Sequence, residues 1–119
     1  MNLFQFMLLL IGVLSGSVGA ILLKKGSASL QGSAGVIPFI QGIIASPVLI
    51  LAFVFYLLPT LIAIYLLKEL EISLLQPVLS LTYVATAVLA YFFLGEQISL
   101  MRASGIIIII VGVALVAHS

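Results

Sequence analysis

The sequence predicts an all-α membrane protein of four transmembrane helices, and three observations predict it. Of 119 residues, 65% are hydrophobic and 6% charged, and the mean hydropathy is +1.50. Soluble domains carry roughly 25% charged residues, so this chain has too few to cover itself in water. Four apolar runs, at about 3–23, 47–67, 72–94 and 100–117, approach or reach the roughly 20 residues needed to cross a bilayer. Short turn-forming or charged segments separate them, which leaves room for one domain, 1–119, and no second one.

The first run starts almost at Met1 with no basic segment before it and no A-x-A-like site after it, so it reads as a retained helix rather than a signal peptide. Its centre is small: Gly12, Ser15, Gly16, Ser17, Gly19 and Ala20. Gly12 and Gly16, then Gly16 and Ala20, are four apart, a spacing that lets another backbone approach closely. Helix packing alone accounts for this pattern; the sharper reading has Ser15 or Ser17 lining a substrate path as well. The run ends at Lys24-Lys25.

Residues 26–35 (GSASLQGSAG) form the turn-rich segment and are expected to be a loop. Residues 36–45 are apolar but interrupted by Pro38 and Gly42, and so predict a short interfacial lead-in to the second span. Ser46-Pro47 is a helix start, with Ser as N-cap and Pro at the first helical position. Pro59 falls mid-helix, where it removes a hydrogen bond and clashes with the preceding turn. It predicts a kink over 55–59, either a static bend or a hinge.

Lys68-Glu69-Leu70-Glu71 is a charged turn, expected to be solvated, and it makes the second and third spans antiparallel neighbours. On the third span Ser73, Gln76, Ser80 and Tyr83 recur at helical spacing and predict one polar stripe. Such a stripe faces protein or a water-filled cavity rather than lipid, so Gln76, Ser80 and Tyr83 are the candidate wall of a substrate path. Tyr91, Phe92 and Phe93 close the span at interfacial depth. Residues 95–97 turn the chain, and Ser99 is a candidate cap for the last helix. In that helix Gly105 and Gly112 are two turns apart and share a face, a candidate dimer contact.

With four spans, Lys24, Lys25 and Arg102 lie on one side and Lys68 with the terminal amine on the other. The positive-inside rule then puts both termini outside the cytoplasm, on a small bias. Lysines at a helix end are ordinary interfacial anchors. Beside a polar path, Lys24, Lys25 and Arg102 are also what a lipid phosphate needs.

The chemistry excludes several classes. The chain has no cysteine, its one histidine is His118, and a net charge of +1 gives nucleic acid nothing to bind. No metal cluster, cofactor motif or catalytic constellation is present, so no enzyme is expected. Glu69, Glu71 and Glu96 all fall in predicted turns. A proton-coupled carrier uses an acid inside a span, so coupling through this chain is not expected.

Four short spans, QPVLSLTYV opening the third, FFLGEQIS closing it, and R-A-S-G-x6-G in the fourth resemble the drug/metabolite transporter superfamily in its four-helix, small multidrug resistance/EamA-like form. The resemblance covers nearly the whole chain and is most specific over 77–112. Small multidrug resistance exporters carry a glutamate near the position of Gly16, and a Tyr and a Trp at those of Gln76 and Leu79. This chain departs at each. The string over 77–84 is more similar to the subunits that flip aminoarabinose linked to undecaprenyl phosphate. The resemblance implies a flippase for a polyprenyl-phosphate-linked sugar, or a related amphipathic anion, in the inner membrane. It implies a homodimer, or a heterodimer with a similar four-helix chain. The alternatives are an exporter of small cations or metabolites and a non-transporting subunit of a membrane complex.

Overall fold

The computed structural model describes residues 2–30, 32 and 34–119. Its described residues are helical, with no strand among them. Four helical segments are long and apolar enough to cross a membrane, as a multi-pass membrane protein requires.

The first helix, α1, runs Leu3–Ser27, four residues past the expected end. Lys24 and Lys25 are therefore its last turn rather than the start of a loop. Two local effects extend it: cations favour the negative end of the helix dipole, and Ser27 Oγ donates to the Lys24 carbonyl at 2.7 Å. At its start Asn2 and Gln5 form a reciprocal capping box, with Gln5 N–H donating to Asn2 Oδ1 at 2.8 Å and Asn2 N–H to Gln5 Oε1 at 3.0 Å. A 3-10 turn, Ala28–Leu30, follows α1. Of the expected loop over 26–35, Gln31 and Ser33 lie outside the described residues.

The lead-in is a ten-residue helix, α2 (Val36–Ala45), none of whose residues is buried. Ser46 ends it and starts the next, α3 (Pro47–Leu66). The Ser46 hydroxyl accepts from Leu49 N–H at 3.4 Å, with Pro47 at the first helical position as expected. The helix runs unbroken through Pro59. The charged turn after it is not simply solvated. Glu69, though exposed, accepts a 2.7 Å hydrogen bond from Nε2 of the buried Gln5, tying the turn to the start of α1. Lys68 lies over the Tyr65 ring, 4.6 Å from its centre.

The third span is not one straight α-helix. It divides into α4 (Ile72–Leu79), α5 (Leu81–Leu89) and a π-helical turn, Ala90–Leu94. The first break falls at Ser80, three residues after Pro77, which lies inside α4. Ser80 then tightens the chain: its N–H reaches the carbonyls of Gln76 and Pro77, and its Oγ donates to the Pro77 carbonyl. At the far end Gly95, at φ +69°, adopts the left-handed conformation that stops a helix. The last helix, α6 (Leu100–Ala117), has the expected bounds, and Ser99 caps it by accepting from Arg102 N–H at 3.2 Å.

α1 is the central strut. It packs most extensively on α3 and next on α5, while α6 covers α4 and α5. Leu9, Ile62, Leu66, Leu75, Val78 and Val113 form the buried apolar core, at the end of the bundle that holds the α3–α4 turn. The small face of α1 takes the close approaches. A Cβ on Gly12 would lie 3.5 Å from Pro59, on Gly16 3.4 Å from Thr82, and on Gly19 3.1 Å from the Tyr56 ring. Backbones this near gain dispersion contacts in lipid, where no hydrophobic drive exists between helices.

Candidate functional site

Beside the core the helices part and leave two adjoining cavities. One, of about 330 Å³, lies between Gly16 of α1, Tyr56, Pro59, Thr60 and Ala63 of α3, and Gln76, Leu79 and Thr82 of the third span. The other, of about 370 Å³, is lined by Ala20, Tyr56, Thr82, Tyr83, Thr86, Ala87, Ala90 and Glu96. Tyr56 and Thr82 belong to both walls, so together the cavities trace a groove along the third span from Gln76 to Glu96.

Gly16, close to Thr82, lines the first cavity and Ala20 the second, so α1 adds little side chain to either. The polar lining of the groove consists of hydroxyls, one amide and one carboxylate. This set can replace the hydration of a polyhydroxylated group, which crosses hydrocarbon only at a cost of several kcal/mol per unpaired polar group.

The residues expected to form the path separate in the structure. Gln76 lines the first cavity and Tyr83 the second. Ser80 is absent from both linings, its hydroxyl turned to the Pro77 carbonyl. Ser73 faces a different cavity, of about 460 Å³, with Glu69, Glu71 and Ser119. Ser73 and Gln76 both lie on α4 and so diverge before the break at Ser80, beyond which Tyr83 reaches the second cavity.

Ser15 and Ser17 sit between helices rather than on a cavity wall. Both are buried. Ser15 Oγ donates to the Phe55 carbonyl on α3 at 2.7 Å. Ser17 Oγ donates to Val13 of its own helix at 2.8 Å and approaches the Thr82 carbonyl on α5 at 3.4 Å. Phe55 is four residues before Pro59, so its carbonyl is the one that the proline deprives of an N–H partner.

Lys24, Lys25 and Arg102 are all exposed. Lys25 borders an apolar notch of about 210 Å³ formed with Val18, Ile21, Leu89 and Phe93. Gly105 and Gly112 are open, with no atom of the described residues within 4 Å of a Cβ built on either, and so lie on an open face of α6.

Sequence reasoning missed Tyr56, Thr60, Thr82, Thr86 and Glu96 as groove residues. Thr82 and Thr86, four apart on the third span, were the available signal. The Asn2-x-x-Gln5 capping box was also legible and would have flagged Gln5.

No family model matches this chain, and no solved structure matches it. It is similar to the uncharacterized protein y4nH of Sinorhizobium fredii, 31% identical over 119 residues that cover 99% of this chain and 98% of that protein. With identity at that level sustained along both chains from end to end, this protein belongs to the family of y4nH.

Proposed function

We propose that this chain is a flippase of the inner membrane that moves a lipid-linked sugar phosphate of the polyprenyl type, or a related amphipathic anion. The observation that carries the reading is the groove running from Gln76 past Thr82 to Glu96, with Tyr56 shared by both of its cavities. A sugar head group would exchange water for the amide of Gln76 and the hydroxyls of Thr82, Tyr83 and Thr86, while its lipid tail stays in the bilayer. Lys24, Lys25 and Arg102, exposed at helix ends, would hold the phosphate. The small multidrug resistance/EamA-like resemblance supports the same reading, as does its implication of a homodimer or a heterodimer with a similar chain.

The test is translocation of a fluorescent polyprenyl-phosphate sugar in reconstituted vesicles, read by quencher access to each leaflet. The paired change Gln76→Leu with Thr82→Val should slow it about tenfold or more, the effect of leaving one or two substrate polar groups without a partner. Unaltered translocation in that variant refutes the groove as the path. No translocation by the wild-type protein, alone or with a similar chain, leaves it a non-transporting subunit.

Glu96 favours a second reading. A carboxylate on the wall of the second cavity suits a small cation better than a phosphate. Export of a cationic dye that depends on Glu96, with no lipid translocation, would establish that alternative. In either case transport should not run on proton exchange through this chain: an imposed pH gradient should leave the rate of the wild-type protein unchanged.

A further inference from the structure

The Ser15–Phe55 hydrogen bond closes a gap that lies in another helix. Pro59 leaves the Phe55 carbonyl without its intrahelical donor, and at membrane depth there is no bulk water to supply one. Ser15, 40 residues away in sequence, supplies it at 2.7 Å. A serine in a helix has a local alternative, the carbonyl four residues before it. Ser17, Thr60 and Ser104 all take that option, donating to Val13, Tyr56 and Leu100. The Ser15 hydroxyl instead bonds across the helix interface. Around it Gly12 packs on Pro59, and Pro59 itself lines the first cavity beside Tyr56 and Thr60.

We infer that the Ser15 hydroxyl is a latch with two positions, which pins α3 to α1 at its proline hinge. In the pinned position it serves the Phe55 carbonyl and fixes the wall that Tyr56, Pro59 and Thr60 give the cavity. In the released position it turns back to the Ile11 carbonyl of its own helix, a weaker acceptor because that carbonyl already takes a backbone N–H within α1. The Phe55 carbonyl is then open to water or to a substrate hydroxyl, and α3 pivots at Pro59. The purpose of the latch rests on the transport reading; the latch itself does not.

Its test needs no substrate. The chain has no cysteine, so Ala63→Cys puts a single thiol on the cavity wall one turn beyond the hinge. The readout is the rate at which a water-soluble maleimide labels that thiol in intact membranes. Ser15→Ala should raise the rate about fivefold, the factor that one net hydrogen bond supports. Ser15→Thr, which keeps the hydroxyl, should label at the wild-type rate. Pro59→Ala restores an N–H to the Phe55 carbonyl, so in that background Ser15→Ala should add nothing further. Three results overturn the latch: a wild-type rate in Ser15→Ala, fast labelling in Ser15→Thr, or an equal effect of Ser15→Ala with and without Pro59. Because labelling does not depend on translocation, the latch and the transport reading stand or fall separately.

Discussion

The hydroxyl of Ser15 donates to the carbonyl of Phe55 across 2.7 Å, filling the vacancy that Pro59 creates in α3. A helix with a mid-span proline is thus completed by its neighbour. The bond should be visible in stability as well as in motion. Ser15→Ala is expected to lower the unfolding free energy by roughly 0.5–1.5 kcal/mol, the range for one hydrogen bond between membrane helices. A denaturant titration in lipid bicelles measures it. The loss should shrink when Pro59→Ala is also present, and purely additive effects would show the two residues to be uncoupled.

The glycines divide into two groups that should respond oppositely. Gly19 abuts Tyr56 and the Ala52 carbonyl, whereas Gly105 and Gly112 meet nothing within 4 Å among the described residues. Gly19→Leu should cost about 2 kcal/mol or more, because it forces α1 away from α3. Gly105→Leu and Gly112→Leu should leave the fold intact and weaken association of one copy with another through α6. Cross-linking yield in membranes, paired with thermal stability of the purified protein, separates the two effects. An unchanged yield in both α6 variants would rule that face out as the dimer contact.

Gln5 joins three groups: it accepts from Asn2 N–H, donates its own N–H to Asn2 Oδ1, and donates Nε2 to Glu69. Its side chain is buried, so removing Glu69 leaves an amide poorly paired. Glu69→Ala should therefore destabilise the protein by roughly 1 kcal/mol and expose the α3–α4 turn to protease. Glu69→Gln, which keeps an acceptor oxygen, should preserve most of the protection. If Glu69→Ala is cut no faster than wild type, the contact holds nothing together.

The basic residues offer a graded test. Each exposed cation near an anionic head group contributes on the order of 1 kcal/mol, so Lys24→Gln alone should reduce binding of a polyprenyl phosphate only a few-fold. Lys24→Glu combined with Arg102→Glu should nearly abolish it, with topology verified by labelling. Native mass spectrometry of the protein in its own lipids reads the bound lipid and the stoichiometry together. Wild-type binding in the double variant would make these side chains interfacial anchors only.

The amino-acid sequence by itself determined the four spans, the Ser46-Pro47 helix start, the Ser99 cap and the small face of α1. Each is a local matter. Solvation by lipid depends on composition along about 20 residues, and a cap lies within one turn of the groups it serves. The tertiary structure decided where the hydroxyls went. Ser15 and Ser17 read as candidate path residues because their spacing is the same whether they face a cavity or a helix. What settled their place was the set of acceptors on α3 and α5, one of them made by a proline 44 positions further along the chain. The same holds for the groove. Thr82, beyond the break at Ser80, and Tyr56 of α3 share its walls. A break changes the direction of every residue beyond it, and that direction acquires a meaning only against a neighbouring helix.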